Sequence, residues 1–211
     1  MGARTGHRGR GSLRVAQAVG TAHLETSTGL DNRKLLMWLF LGSECLFFGS
    51  LIAAYLLYRD RSVAGPYPSD LFDIPFTSVS AFVLLMSSVS MVLALAAIQR
   101  GNVRGMQIWL FTTATLGLLF LSGQAFEFTE FNHEGLSLST NLFGTTFFVL
   151  TGFHGAHVTI GVLILLSLFT VSLQGRIQQK NSLNVELAGL YWHFVDIVWI
   201  VIFTLVYLIQ P

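Results

Sequence analysis

A single cysteine, Cys45, occurs in the 211-residue chain. An internal disulfide, a four-cysteine iron–sulfur cluster and a two-cysteine copper site are thereby excluded. Charge is scarce as well: 11% of the residues are Asp, Glu, Lys or Arg, 53% are hydrophobic, and the formal net charge is +1. Of the four prolines, three (Pro66, Pro68 and Pro75) crowd one segment, so little interrupts the rest. What remains is a succession of five apolar runs with short gaps between them. No soluble domain of this size has such a composition. In lipid only helices or closed barrels satisfy their backbone, and the runs lack the period-two alternation of barrel strands.

The reading is therefore an all-α integral membrane protein, a five-transmembrane-helix bundle with spans at about 35–58, 76–98, 106–126, 141–171 and 188–209. Ahead of it, residues 1–34 form a disordered basic tail carrying Arg4, Arg8, Arg10, Arg14, Arg33 and Lys34. An organellar transit peptide has a similar composition, and so has a cytoplasmic tail lying on anionic lipid; the second reading is preferred. Segment 59–75 is a loop, because its prolines cannot sit inside a continuous helix. Residues 99–105 are too few for anything but a tight connection between antiparallel neighbours. The tail and the two segments 99–105 and 172–187 hold ten of the twelve Lys and Arg; the other side has Arg59 and Arg61. The positive-inside rule then puts the N-terminus in the cytoplasm and the C-terminus outside. Trp38, Trp109, Tyr191 and Trp192 would mark the inner interface, Tyr58 and Tyr207 the outer.

Polar residues inside the spans are the candidate functional groups, since an ionisable side chain at mid-bilayer costs roughly 2.5–3.5 kcal/mol on insertion scales. Glu44 lies some ten residues into the first span, about 15 Å deep at 1.5 Å per residue. It is either a hydrogen-bonded structural acid or a proton-relay or partner-contact group. Gly42, Gly49 and Ala53 occupy another face, where small residues admit a neighbouring helix. In the fourth span His154, His157 and Gly161 share a face. HxxH alone is a weak metal or haem signal, because haem usually takes histidines from facing helices and metals add carboxylates or cysteines. In the fifth, Tyr191-Trp192-His193-Phe194-Val195-Asp196-Ile197-Val198-Trp199 puts His193 and Asp196 on one face that continues through Ile200, Phe203 and Tyr207, with Trp192 and Trp199 directed elsewhere. One polar cluster of Glu44, His154, His157, His193 and Asp196 is expected, with the His193–Asp196 face meeting the His154–His157 face. Gln124 and Glu127 end the third span as lesser candidates, Glu127 as a hydrated helix end before an acidic loop, 127–140.

Four of these motifs, in order, resemble the landmarks of subunit III of haem-copper terminal oxidases. They are Ser43-Glu44, Gly123-Gln124-Ala125-Phe126-Glu127, Gly152-Phe153-His154-Gly155-Ala156-His157-Val158 and the stretch from Tyr191 to Trp199; the resemblance covers about 35–209. The chain is similar to the five-helix form, which lacks the first two helices of longer members and with them one wall of a lipid-holding cleft. The resemblance implies a respiratory accessory subunit with no active site of its own, part of an oxidoreductase complex in a bacterial plasma membrane. It also implies no cofactor or metal in this chain, with haem and copper in partner subunits. Expected partners are the catalytic haem-copper subunit I, other oxidase subunits and membrane phospholipid; no nucleic acid is expected. Its role would be to support proton uptake, durability and oxygen access in the catalytic subunit during proton-pumping reduction of O2. Attachment to a quinol oxidase or a nitric oxide reductase stays open, as does, from another class, a proton-coupled secondary transporter relaying through Glu44, His157 and Asp196. Transporters of that kind usually show broken helices and internal repeats.

Overall fold

The computed structural model describes residues 31–59, 61 and 73–209. The residues read as a basic tail, apart from the last four, and most of the proline-rich loop lie outside the described residues. The chain divides into two compact units, Met1–Leu36 and Met37–Pro211, and the helical bundle belongs to the second. Five long apolar helices are present: α1 (Asn32–Tyr58), α2 (Ile74–Gln99), α3 (Val103–His133), α4 (Leu142–Leu173) and α5 (Ser182–Phe203). A short 3₁₀ turn, Gln179–Asn181, precedes α5, and a π-helical segment, Thr204–Leu208, follows it. Each helix is long and apolar enough to cross a bilayer. No strand occurs among the described residues.

Local chemistry sets the helix starts. The side chains of Asp73, Asn102 and Asn141 accept hydrogen bonds from the backbone N–H groups of Phe76, Gly105 and Gly144, satisfying donors that a helix start leaves unpaired. Pro75 sits in the first turn of α2, where its missing N–H costs nothing. Between α2 and α3 the chain reverses through Gly101, whose φ of 78° is ordinary for glycine and strained for other residues.

Helix α2 packs on α3, α3 on α4, α4 on α5, and α5 back on α2, closing a four-helix ring. The buried edge of α5 reads Val185, Ala188, Trp192, Val195, Trp199, Ile202, a three- and four-residue rhythm that continues to Val206 in the π segment. Both tryptophans thus lead the core face; of the face drawn from sequence through His193, Asp196, Ile200, Phe203 and Tyr207, Asp196 and Tyr207 are buried as well and Ile200 is exposed. The indole of Trp192 fits a slot left by two glycines. A Cβ on Gly117 would fall 2.6 Å from its Cη2, and one on Gly161 2.8 Å from its Cε3. Its N–H donates to Ser87 Oγ at 2.9 Å, which removes the cost of burying that donor. Trp192 is 2% exposed, so it is a core residue and not part of an interfacial belt. The physical reason is that α5 starts at Ser182, which places Trp192 well inside the helix.

Helix α1 attaches differently. Its buried residues are Leu41, Phe48 and Tyr55, one every seven, which makes a narrow seam. Phe48 lies beside His154 of α4 and Phe194 of α5, and Tyr55 beside Phe143 of α4. The opposite side of α1 is bare, with Leu46 79% exposed and nothing within 4 Å of a Cβ built on Gly42 or Gly49. Exposed leucines, valines and phenylalanines also cover the outward faces of α2, α3 and α4, as a lipid-facing surface requires.

Candidate functional site

Glu44, His157 and His193 lie near the midpoints of α1, α4 and α5, so their depth along the bundle is shared. Their partners are not. Oε2 of Glu44 is 3.3 Å from Nε2 of His157, and both side chains are half-buried. The separation suits an ion pair, although the alignment is too poor for a hydrogen bond, and Oε2 has no other partner among the described residues. On its other side, His157 Nδ1 is 2.8 Å from the backbone carbonyl of Phe153. A carbonyl only accepts, so Nδ1 carries the hydrogen and Nε2 is the nitrogen left to face Glu44. A pair with one proton between these two atoms is net neutral whichever partner holds it. Neutrality is what an apolar surrounding favours, because an uncompensated charge there is expensive. Phe47 and Phe48 pack their rings against His157, and Tyr191 donates its hydroxyl hydrogen to the His157 carbonyl at 3.1 Å.

His193 and Asp196 face α2 instead. Nδ1 of His193 is 3.0 Å from Ser88 Oγ, and Asp196 follows His193 by one turn on the same helix. Which of Ser88 and His193 donates depends on the imidazole tautomer. His154 belongs to neither group. It is completely buried, stacked on Trp199 with ring centroids 4.9 Å apart and edge-on to Phe120. The single cluster expected from sequence is therefore three groups in the structure: Glu44–His157 between α1 and α4, His154–Trp199 between α4 and α5, and Ser88–His193–Asp196 between α2 and α5. The His193–Asp196 face does not meet the two fourth-span histidines as expected. Residues three apart on a helix differ by about 60° in direction, enough for His154 to face α5 and His157 to face α1.

Gln124 and Glu127 are buried ties between helices. The side-chain amide of Gln124 donates to the Thr151 carbonyl at 2.9 Å, and its Oε1 rests where a Cβ on Gly155 would stand only 2.6 Å away. Glu127 is 8% exposed, accepting from Thr77 Oγ1 at 2.8 Å and from the Tyr207 hydroxyl at 3.2 Å. It is not a hydrated helix end, because α3 continues to His133 and the first turns of the expected acidic loop are helix. The sequence reading also missed Ser88, Tyr191, Thr77 and Tyr207. The second span carries Ser78, Ser80, Ser87, Ser88 and Ser90, each able to reach another helix, and nothing in the sequence selects Ser88 among them. The π segment, which brings Tyr207 to Glu127, has no sequence signal at all.

Among the described residues no group of three or more His, Cys, Asp or Glu is arranged to hold a metal ion. A separate apolar groove of about 340 Å³ runs along α1, α4 and α5, with Asn184 along its lining and His157 and Tyr191 among its walls.

The comparisons with known proteins agree with this architecture. Residues 14–210 match the family model of cytochrome c oxidase subunit III. Cytochrome c oxidase subunit 3 of Bacillus sp. (strain PS3) is 39% identical over 177 residues, covering 84% of this chain and 86% of that protein. The Synechocystis protein of the same name is 43% identical over 181 residues, 85% of this chain and 76% of its own. Quinol oxidase subunit 3 of Bacillus subtilis (strain 168) is 38% identical over 171 residues, 81% and 84%. With five membrane-length apolar helices and bacterial relatives, this is a bacterial multi-pass membrane protein. The transporter reading gives way to these matches, which span most of the chain, and the chain belongs to the cytochrome c oxidase subunit III family.

Proposed function

We propose that this chain is the accessory subunit of a respiratory haem-copper terminal oxidase in a bacterial plasma membrane, packed against the catalytic subunit. Family membership implies that association. The redox chemistry, with its haem and copper, belongs to the partner subunits in this reading. The N-terminus faces the cytoplasm and the C-terminus the outside, on the strength of the ten-to-two distribution of Lys and Arg.

The observation that carries the functional reading is the Glu44–His157 pair. It sits midway along two membrane-length helices, it is half-buried, and it sets a carboxyl oxygen 3.3 Å from the imidazole nitrogen that the Phe153 carbonyl leaves free. A purely structural bond at that depth is made more cheaply by an amide. We assign the pair to tuning the proton or oxygen supply of the neighbouring subunit. It is too short to be a proton wire, since α1 offers no second relay group near Glu44. The phospholipid suits the apolar groove, whose lining between Asn184 and Tyr191 spans about 10 Å of α5 at 1.5 Å per residue. Relatives named as cytochrome c oxidase and as quinol oxidase subunits match this chain about equally, so the electron donor is left to other subunits.

The test is oxygen consumption over many turnovers by purified complexes with matched subunit content. Glu44→Gln keeps shape and hydrogen-bonding capacity, and it should assemble normally while lowering the rate or its persistence. Identical time courses for wild type and variant would leave Glu44 a packing residue.

A further inference from the structure

Burying a hydrogen-bonding group without a partner costs about 1–3 kcal/mol, and native interiors hold few such groups. In this bundle four of them fall together. Nδ1 and Nε2 of His154, Nε1 of Trp199 and Oδ1 of Asp196 have no hydrogen-bond partner among the described residues. The three residues are 0%, 1% and 4% exposed. His154 and Trp199 are neighbours, their rings stacked at 4.9 Å, and Asp196 is buried one helical turn before Trp199 on α5. Their chemistry is complementary. An indole nitrogen only donates, a carboxyl oxygen accepts, and an imidazole offers at least one donor. The groups nonetheless make no bond to one another.

We infer that the interior between α4 and α5 binds ordered water, which hydrogen-bonds the His154 ring and links it to Asp196 Oδ1 or to Trp199 Nε1. Water is the occupant that meets the requirement, because it donates and accepts, needs two to four polar partners, and is the usual guest of buried polar sites. A metal ion is disfavoured, since an indole N–H is no ligand and no arrangement of three ligating side chains exists among the described residues. The aromatic walls, Phe120 on one side and Phe48 on the other, seal the site from the lipid face. The site stands between the two outer polar groups. His157 follows His154 by one turn and meets Glu44, and His193, one turn before Asp196, meets Ser88. This inference does not depend on the role proposed for Glu44, and its test reads no activity.

The experiment is a density map of the intact oxidase complex containing the full chain, at a resolution where single waters are visible. The expected result is at least one water peak within hydrogen-bonding distance, about 2.6–3.2 Å, of a His154 ring nitrogen and of Asp196 Oδ1 or Trp199 Nε1. In the His154→Leu complex that peak should be lost. The inference is overturned if both His154 nitrogens touch only carbon, if His154 bonds directly to a protein group with no water present, or if the peak has the coordination of a metal ion. Should His154→Leu fail to assemble, the wild-type map alone decides.

Discussion

Nε2 of His157 lies 3.3 Å from Oε2 of Glu44, an ionic contact that joins α1 to α4 of the four-helix ring. Leu41, Phe48 and Tyr55 form the buried seam of α1, Phe47, Leu51 and Ile52 pack beside it, and just past its end Arg59 Nη1 donates to the Ile209 carbonyl at 2.8 Å. Glu44 and His157 therefore couple the state of a polar pair to the seating of a whole helix.

Replacing His157 by alanine should expose that coupling. Glu44 would then face an apolar wall without its counterpart, at a cost of roughly 1–3 kcal/mol. Limited proteolysis of the assembled complex should show α1 loosened, with α2 to α5 as resistant as before. An unchanged digestion pattern would mean that α1 is held without the pair.

The slot around Trp192 gives a prediction about packing alone. Gly117→Ala introduces a methyl group 2.6 Å from Trp192 Cη2 and should destabilise the bundle by roughly 1–3 kcal/mol, as overpacking does. Adding Trp192→Phe removes the ring carbon in question, so the double variant should recover part of the loss measured for Gly117→Ala against its Trp192→Phe background. Simple additivity in thermal denaturation of the complex would show that the two residues do not collide.

Ser88 is the α2 hydroxyl that His193 meets, at 3.0 Å. Ser88→Ala should cost roughly 1–3 kcal/mol by stranding a buried partner, and Ser78→Ala on the same helix should be nearly neutral, because Ser78 bonds only back to the Ile74 carbonyl. Melting of the two variant complexes side by side checks this. Equal effects would deny Ser88 its special place.

At the far end of the bundle, Tyr207→Phe removes one of two hydroxyls that Glu127 accepts from and should cost about 1 kcal/mol. Thr77→Val removes the other. Because both bonds end on one carboxyl, the double variant should depart from the sum of the two single losses in chemical denaturation.

Much of this was legible in the sequence, for a physical reason. Apolar runs of membrane length declare the helices, and a carboxyl or imidazole within them declares a site, because lipid tolerates neither without a cause. Partner choice was hidden, since it depends on the rotation of each helix, and these helices are apolar on every side. Trp192 and Trp199 are no more hydrophobic than Ile200, so no periodicity set them apart as the core edge. The end of α3 was hidden differently. Glu127, Glu130 and Glu134 look like a loop until Phe128 and Phe131 are seen to pack on α4 while Glu127 turns inward to Tyr207. Gly117 and Gly161 read as small residues, but their purpose appears only with the indole they admit.

The orientation has its own check. A reporter active only in the cytoplasm, fused after Pro211, should be silent, and an active fusion would reverse the assignment.

The central claim is that this chain serves as the accessory subunit of a haem-copper oxidase, and co-purification tests it most directly. The chain, tagged and expressed at its native level, is purified from membranes under mild detergent, and haem and copper are measured in the fraction. Both should accompany it in fixed ratio, together with a catalytic subunit, and O2 reduction should follow the same fraction. A chain recovered intact without haem or copper, from membranes in which an active terminal oxidase elutes elsewhere, would contradict the account.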